Sequence, residues 1–361
     1  MSSSKPDYKF AIVWRNVFVF LLYHYVALQG VYYILSLTVQ WRTLLWGYII
    51  LLCNAQGITS GVHRLWAHRS YKAKLPLKIL LCVFQTIGFQ NSIYEWARDH
   101  RVHHKFTDTD ADPHNSTRGF FFSHMGWLLV RKHPDVFAKG KTVDMSDLEA
   151  DPVVRFQRKY YVLLAPTLCF VVPTVVPWYC WNEDAYVAFA VCGMLRYLIS
   201  LHCTWLVNSA AHIWGTKPYN RYIRPSENVW VSALTQGEGW HNYHHTFPWD
   251  YKAAELDSYS GNMSTAFIDF MAKIGLAYDL KTVPPAMGLT LGWWEEEKHS
   301  SDHHREAGRV RIPAGWATHG CCVVCVLYCG GKYPGAQLHH LKKELADRKV
   351  PDRPNGERGR L

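Results

Sequence analysis

Histidine is the residue type whose spacing in this chain points most clearly to chemistry. The pattern H-x-x-H-H occurs at residues 100–104 and again at residues 241–245, and His63 and His68 form a further pair. On a helix, side chains at i, i+3 and i+4 lie on neighbouring turns, so the three imidazoles of each box are expected to share one face. Neutral imidazole binds iron, zinc, copper or nickel, and eight imidazoles exceed what one tetrahedral ion needs. The spacing therefore predicts a site for two metal ions with the ligands His63, His68, His100, His103, His104, His241, His244 and His245.

The i, i+5 pair requires a departure from a regular α-helix. Five residues turn an ideal helix about 140° past one full turn, so the rings of His63 and His68 would not share a face. They can converge where the helix ends or where it widens by one residue as a π-bulge. We therefore expect a helix end or an irregularity near residues 65–68.

Residues around the boxes divide into candidate partners and structural groups. Asn208 and His212 stand at i, i+4 on one helix face, although a single histidine after an apolar helix is more often structural than a ligand. Carboxylates orient imidazoles through the free N–H, and the candidates are Glu95, Asp99, Asp108, Asp110, Asp112 and Glu238. We interpret the other histidines as structural, namely His24, His114, His124, His133, His202 and those after residue 298.

Composition and apolar runs indicate a membrane protein. Of the 361 residues, 49% are hydrophobic and 15% aromatic, and the formal net charge is +10. We predict that the chain crosses the bilayer as two hairpins, with spans at 17–38, 43–58, 160–181 and 185–207. The last span contains Arg196, so part of it must face protein or water. The run at 77–89 is short and is expected to be an interfacial or buried helix. Nothing in the pattern indicates nucleic-acid binding.

Loop charge predicts the direction of the hairpins. The segment 61–160 holds sixteen lysines and arginines, whereas the two short joints hold only Arg42. The positive-inside rule places both termini and every histidine box on the cytoplasmic side. The fold class is therefore an all-α integral membrane protein with four transmembrane helices under a cytosolic helical cap. The predicted order is a cytosolic segment at 1–16, hairpins at 17–60 and 160–207, cytosolic segments at 61–159 and 208–286, and a tail at 287–361.

The boxes and their flanking residues resemble a known family. H-R-L-W-A-H (63–68), E-W-A-R-D-H-R-V-H-H (95–104) and G-E-G-W-H-N-Y-H-H (237–245) are similar to the membrane acyl-CoA Δ9 desaturases of the stearoyl-CoA desaturase type. D-P-H-N (112–115) and N-S-A-A-H (208–212) match as well, and the likeness runs from about residue 14 to about residue 284. The resemblance implies O2-dependent insertion of a cis double bond between carbons 9 and 10 of palmitoyl- or stearoyl-CoA, in unsaturated fatty acid biosynthesis.

The resemblance also implies the cofactor, partners, location and substrate contacts. Two iron ions (Fe2+) are held by nine histidines, with His212 as the ninth, and Asn208 acts through a metal-bound water. Electrons come from NADH through a reductase and cytochrome b5 as separate chains, because no H-P-G-G haem motif is present. The enzyme is expected to be a multi-pass protein of the endoplasmic reticulum membrane, in contact with lipid. Family positions for the acyl-CoA match Arg15, Asn16, Asn91, Trp96, Arg98, Asp99, Arg131, Lys132 and Trp205.

Several alternatives remain open at this point. A fatty-acid hydroxylase of the same histidine-box class, a desaturase of another regioselectivity and a non-catalytic lipid- or metal-binding protein also fit parts of the pattern. Arg131 and Lys132 also suit a basic interfacial patch. Leu51 and Leu52, about three turns before His63, are candidates for limiting the acyl chain length. The tail at 287–361 diverges from the family and is interpreted as disordered and incidental; palmitoylation is the alternative for its cysteines, Cys321, Cys322, Cys325 and Cys329.

Overall fold

Helices make up almost all of the regular secondary structure in the described residues, as the sequence predicts. The computed structural model describes residues 10–255, 259 and 261–284, so the predicted tail and its cysteine cluster lie outside the described residues. In chain order the elements are α1 (Trp14–Leu35), α2 (Trp41–Gln56), a π-helix (Gly57–Ala67), β1 (Lys72–Ala73), α3 (Leu75–Ile87), α4 (Ile93–Lys105), a 3-10 helix (Ser116–Arg118), α5 (Phe120–His124), a 3-10 helix (Gly126–Leu128), α6 (Pro134–Gly140), α7 (Ser146–Ala150), α8 (Pro152–Pro166), a π-helix (Thr167–Val171), α9 (Val172–Trp181), α10 (Ala185–Ala188), a π-helix (Phe189–Leu195), α11 (Arg196–Asn208), α12 (Ala210–Ile213), α13 (Val229–Thr235), α14 (His241–Thr246), α15 (Met263–Lys273) and β2 (Ala277–Tyr278).

Three of the four predicted spans correspond to helices long and apolar enough to cross a membrane. They are Trp14–Leu35, Pro152–Trp181 and Ala185–Ile213. The other predicted span lies in α2 (16 residues) and the start of the π-helix that continues it, and this segment is not among the helices that are long and apolar enough. Beyond α2 the helix continues as the π-helix Gly57–Ala67, which carries His63 and Arg64 and is buried in protein. By length and composition, three helices of the described residues therefore qualify as spans.

Prolines in the third predicted span release backbone carbonyls that neighbouring helices satisfy. A proline has no N–H, so the carbonyl four residues earlier loses its helical partner. Pro173 releases the carbonyl of Cys169, which accepts a hydrogen bond from the Arg196 guanidinium (2.7 Å). Pro177 releases the carbonyl of Pro173, which accepts from Trp46 Nε1 (3.2 Å). These bonds explain why the helix stays continuous and why Arg196, only 3% exposed, faces protein as predicted.

The two short joints between the apolar segments lie together at one end of the structure. The buried carboxylate of Glu183 accepts hydrogen bonds from the hydroxyl of Thr43 (2.6 Å) and from the backbone N–H of Gln40 (3.0 Å). Trp181 Nε1 also donates to Thr43 Oγ1 (2.9 Å). A buried carboxylate is tolerated when it accepts such hydrogen bonds. Both joints therefore end on the same side, as two hairpins packed side by side require.

The histidine-bearing segments share a hydrophobic core with the short helix α3. Leu77 and Leu81 of α3 and Val62 of the preceding π-helix are almost completely buried in one cluster. Burial of each such side chain stabilises the fold by about 1.5–3 kcal/mol. The run at 77–89 therefore forms a helix that packs on protein rather than a span, in agreement with the prediction. Antiparallel pairing of β1 with β2 joins the end of the described chain to the same region.

The close approach of the π-helix to α3 predicts contrasting effects of two alanine substitutions. A Cβ at Gly57 would lie 2.2 Å from the backbone nitrogen of Gln85, whereas a Cβ at Gly61 would lie 3.4 Å from Leu81 Cβ. Backbone atoms cannot yield cheaply, so Gly57→Ala is expected to lower the free energy of unfolding by about 1–3 kcal/mol. Gly61→Ala is the matched control and should melt like the wild type. Thermal melting in detergent measures both, and equal melting temperatures for the two variants would contradict the packing.

Candidate metal centre

All nine predicted histidine ligands lie in two adjacent clusters. Within each cluster, one ring nitrogen from every member lies within 4.8 Å of those of the others. The first cluster consists of His63, His68, His100, His104 and His244. The second cluster consists of His103, His212, His241 and His245. His212, which spacing alone did not distinguish from a structural histidine, thus lies with the boxes.

Each H-x-x-H-H box contributes to both clusters. In the box at 100–104, His100 and His104 belong to the first cluster and His103 to the second. In the box at 241–245, His244 belongs to the first cluster, and His241 and His245 belong to the second. Residues i+3 and i+4 differ by about 100° around a helix, which directs adjacent rings to separate points. The three imidazoles of a box therefore diverge across one face of the helix and divide between the two clusters. The two clusters meet where the rings of His104 and His245 stack with centroids 4.1 Å apart.

A π-helix brings the i, i+5 pair together. The π-helix ends at Ala67, and the ring centroids of His63 and His68 are 4.8 Å apart. The backbone N–H of His68 donates to the carbonyl of His63 (3.0 Å), so a five-residue turn closes directly between these two residues. The predicted irregularity near residues 65–68 is confirmed.

The inward-facing nitrogens have separations that suit shared metal ligands. His63 Nε2 lies 3.0 Å from His244 Nε2 in the first cluster, and His241 Nε2 lies 3.1 Å from His245 Nε2 in the second. Two nitrogens bound at right angles, each about 2.1 Å from one ion, are about 3 Å apart. Imidazole ligands suit transition metals, whereas magnesium and calcium prefer oxygen. Each cluster could therefore hold one transition-metal ion.

Burial favours the protonation state that metal binding needs. Desolvation and neighbouring imidazoles hold the pKa of His68, His100 and His244 well below the usual histidine range. These rings are therefore neutral, which is the form that ligates a metal. His103 differs: although burial opposes protonation, the Asp112 carboxylate raises the pKa of His103.

Three of the six candidate carboxylates contact histidine rings. The pairs, measured from a carboxylate oxygen to Nδ1, are Glu238–His63 (2.8 Å), Asp112–His103 (2.9 Å) and Asp108–His212 (3.5 Å). A proton held on Nδ1 leaves Nε2 free to face an ion. The other three pair with cations instead: Glu95 with Arg158, Asp99 with Lys132, and Asp110 with Arg118. Of the six candidates, these three therefore contact basic side chains.

A buried arginine keeps Glu238 ionised. Arg64 Nη2 lies 2.8 Å from Glu238 Oε1, and both side chains are almost inaccessible to solvent. Burial alone would raise the pKa of Glu238, but Arg64 and His63 lower it to about 2. Removing either partner of such a pair leaves an uncompensated buried charge. Because Arg64 follows His63 and Glu238 opens the third box, this pair ties two boxes together.

A cavity of about 160 Å³ adjoins the first cluster. The ring of His100 and the side chain of Asn208 both belong to its lining. Four predicted acyl-CoA residues also line it, namely Asn91, Trp96, Asp99 and Trp205. Phe20, Phe89, Tyr197 and Leu201 supply apolar walls. An apolar cavity that ends beside a histidine cluster can hold a hydrocarbon chain next to bound metal.

Two further predicted acyl-CoA residues contact the cavity through Asp99. The guanidinium of Arg98 lies 2.9 Å from Asp99 Oδ1, and the ammonium of Lys132 bonds to Asp99 Oδ2. Burial alone would raise the pKa of Asp99, but Lys132 and Arg98 lower it. The three side chains form a polar edge to the apolar cavity.

The remaining predicted acyl-CoA residues lie where the start of α1 meets the segment after α5. Asn16 Nδ2 donates to the carbonyl of Leu128 (2.8 Å), a residue of the cavity lining, and Arg15 Nε donates to Asn16 Oδ1 (3.4 Å). The backbone N–H of Arg131 donates to the carbonyl of Ala11 (2.9 Å). The structure thus brings these residues together, outside the cavity lining itself.

Sequence reasoning missed His114 and Trp127, which both line the cavity. His114 forms a third group of potential ligands with His103 and Asp112, and its ring lies 4.5 Å from that of Trp127. Within the described residues, His114 Nδ1 and Trp127 Nε1 are buried without a hydrogen-bond partner. The sequence feature that could have identified His114 is its position two residues after Asp112, shortly beyond the second box.

Comparison with known proteins identifies relatives along most of the chain. A sequence profile of the family described as fatty acid desaturase matches residues 40–257. An acyl-CoA Δ9 desaturase of Acheta domesticus is 60% identical over 283 residues, which cover 78% of this chain and 79% of the relative. An acyl-CoA Δ12 desaturase of the same organism is 56% identical over 283 residues, covering 78% and 79%. A stearoyl-CoA desaturase of Homo sapiens is 54% identical over 281 residues, covering 78% and 77%.

The contact of Asp112 with His103 predicts a specific loss of metal affinity. In Asp112→Asn, the amide no longer draws the Nδ1 proton of His103 as a carboxylate does. We expect the affinity of the second cluster for a divalent transition metal to fall about 10–100-fold, while the first cluster is unchanged. Metal titration of the purified protein measures this. The control is Asp110→Asn, whose carboxylate pairs with Arg118 instead; equal affinities in both variants would contradict the orienting role.

Proposed function

This chain belongs to the fatty acid desaturase family and is an oxidoreductase of the acyl-CoA desaturase type, and we propose that it inserts a cis double bond between carbons 9 and 10 of saturated acyl-CoA. The observation that carries the proposal is a cavity with apolar walls that shares His100 with a five-histidine cluster, beside a second cluster of four. Identity of 60% to a Δ9 desaturase, against 56% to a Δ12 desaturase of the same organism, supports carbon 9.

The proposed cofactor is a pair of iron ions, one in each histidine cluster. Bound iron supplies the O2 activation that cleavage of an unactivated methylene C–H bond requires, because acid–base side chains cannot perform that step. Glu238 and Asp112 hold the Nδ1 protons of His63 and His103 and so orient Nε2 inward, and the Asp108 carboxylate lies 3.5 Å from Nδ1 of His212. Asn208, in the lining with His100, would hold a water on the iron.

The proposed substrate contacts divide into apolar and polar sets. Trp96 and Trp205 would flank the acyl chain in the cavity and exclude water from it. Arginine and lysine suit phosphate groups, so the CoA end would lie along Arg98 and Lys132 of the polar edge and along Arg15 and Arg131, which lie where the start of α1 meets the segment after α5. The polar set is Arg15, Asn16, Asn91, Arg98, Asp99, Arg131 and Lys132.

We also propose the membrane arrangement and the electron donor. Hairpins at 17–60 and 160–207 would cross the bilayer four times, with α2 and its continuation completing the first hairpin. The meeting of the two joints at Glu183 and Thr43 supports this arrangement. Cytosolic segments at 1–16, 61–159 and 208–286 then carry every box, both termini face the cytosol, and the membrane is that of the endoplasmic reticulum. Cytochrome b5 and its NADH-dependent reductase would deliver electrons as separate chains.

Product analysis tests the proposed reaction. Cells that lack their own desaturase and express this chain are fed saturated acids of different length, and mass spectrometry locates the double bond. We expect palmitoleic and oleic acids with a cis bond at carbon 9. His244→Ala, made at normal protein level, should form no product, because it removes a ring that lies 3.0 Å from His63 and 3.1 Å from His104. Hydroxy acids, or double bonds at carbon 11 or 12, would contradict the proposal.

Neutralising Arg131 and Lys132 tests the proposed CoA site. Each charge-assisted hydrogen bond to phosphate is worth about 1.5–3 kcal/mol. Arg131→Gln with Lys132→Gln is therefore expected to raise the KM for acyl-CoA about tenfold or more, with little change in kcat. The matched control is Lys139→Gln with Lys141→Gln, which makes the same charge change at two exposed positions nearby. An equal KM for the two double variants would show that Arg131 and Lys132 form only an interfacial patch.

A further inference from the structure

The short helix α13 turns apolar side chains outward. Its sequence, V-W-V-S-A-L-T (229–235), contains no charged residue. Val229, Trp230 and Leu234 are 54%, 67% and 59% exposed, whereas Ser232 and Thr235 are buried. On a helix at the surface of a soluble protein, the apolar side chains face the core and the polar ones face water. The outward stripe of α13 therefore fits an apolar environment better than water.

An exposed tryptophan from the preceding segment extends this stripe. The side-chain amide of Asn228, next to α13, donates to the carbonyl of Trp214 (3.1 Å), and the Trp214 side chain is 55% exposed. The ring of Trp214 also stacks on that of Phe120, with centroids 5.1 Å apart. Exposed apolar side chains that gather in this way mark an interaction surface for protein or lipid. We define the outer face of α13 as Trp214, Val229, Trp230 and Leu234.

The inner side of α13 packs against the end of the last candidate span. Val231 shares a buried cluster with the start of α12, and Leu206 and Val207 of α11 pack against that cluster. A helix rises about 1.5 Å per residue, so Val207 lies about 33 Å along the axis from Ala185, which follows the hairpin joint. The hydrocarbon core of a bilayer is about 30 Å thick. α13 therefore lies at the level where this span leaves the core, on the side of the histidine boxes.

A basic loop borders the outer face. The loop between α12 and α13 contains Lys217, Arg221 and Arg224, and both arginines are exposed. Its one carboxylate belongs to Glu227 and is turned toward the third box, because Glu227 Oε1 accepts the backbone N–H of Tyr243 (2.7 Å). Apolar side chains bordered by lysine and arginine are typical of a helix in the membrane interface, where the basic groups meet lipid phosphate.

We propose that the outer face of α13 is inserted in the cytoplasmic leaflet of the bilayer. This placement rests on the proposed function, whose membrane arrangement puts every box on the cytosolic side. Lipid is favoured over a protein partner because the outer face adjoins the end of a helix that is long and apolar enough to cross a membrane. Tryptophan, which supplies two of its four side chains, is enriched at the level of the lipid headgroups.

The position of α13 is linked to the metal site through the backbone. The N–H of Asn228 donates to the carbonyl of Gly239 (2.8 Å), and the N–H of Gly237 donates to the carbonyl of Ser232 (3.0 Å). A Cβ at Gly239 would lie 2.1 Å from the backbone nitrogen of Ser232, so the two segments are in direct contact. Glu238, which pairs with the first box, lies between these two glycines. Insertion of α13 in the leaflet therefore sets the height of the third box above the membrane.

Photo-crosslinking from the outer face identifies what covers it. The benzophenone amino acid p-benzoylphenylalanine replaces Leu234 in the full-length protein, which is reconstituted in liposomes of phosphatidylcholine and phosphatidylserine. After irradiation, mass spectrometry of the protein measures phospholipid adducts. Two positions of similar exposure are the controls, Tyr32 on the first candidate span and Lys72 on β1. We expect residue 234 to form adducts with a yield close to that of residue 32 and about tenfold above that of residue 72.

A second variant and two further outcomes make the test decisive. The same amino acid at residue 230 replaces the first variant if that one fails to fold. Adduct yields at the outer face no higher than at residue 72 would overturn the proposal, because the face would then lie in water. Crosslinks between two copies of the chain, or between the chain and an added electron donor, would overturn it by showing a protein interface.

Failure of the proposed function gives a different result. Hydroxy acids, or a double bond at another carbon, as the products of the wild type would contradict the proposed reaction. The yield of lipid adducts at residue 234 does not depend on the product, so it tests the insertion of α13 separately.

Discussion

The structure depends on nine imidazoles that turn their Nε2 atoms toward two buried points. Unprotonated nitrogens about 3 Å apart, out of contact with water, repel one another and lack donors, so the arrangement is costly unless a cation lies between them. The rest of the site serves this constraint. A π-helix aligns His63 with His68, and carboxylates hold protons on the outer nitrogens. The buried Arg64–Glu238 pair ties the first box to the third.

Side chains of neighbouring helices replace the backbone hydrogen bonds that prolines remove from the third predicted span. Pro173 and Pro177 interrupt the backbone hydrogen bonds of the third predicted span, yet Arg196 and Trp46 complete the released carbonyls from neighbouring helices. Such bonds fix the rotation and height of one helix against the next, because only one register brings each donor to its carbonyl. The last apolar helix is thereby placed so that Asn208 lies in the cavity lining and His212 in the second cluster.

Local sequence patterns predicted much of the site, but they did not predict the features that depend on tertiary packing. Box spacing identified the histidines, and the i, i+5 interval of His63 and His68 required a π-type irregularity that the structure contains. Helical spacing alone could not show that each box is divided between two clusters, because that depends on where other helices place their rings. Which candidate carboxylates reach a histidine could not be predicted for the same reason: Glu95 and Asp110 lie close to a box in sequence but contact arginines in space. The second predicted span does not qualify as a membrane-spanning helix, because the apolar run ends within α2 and the chain continues into the buried π-helix.

The central claim is that histidine alone holds two metal ions in this chain. Iron analysis of the purified protein, combined with X-ray absorption spectroscopy at the iron edge, tests it most directly. The proposed cofactor predicts two iron ions per chain, with four or five imidazole nitrogens on each and no protein carboxylate bound, because both clusters consist of histidine. One iron ion per chain, or a pair of ions bridged by carboxylate oxygen, would contradict it.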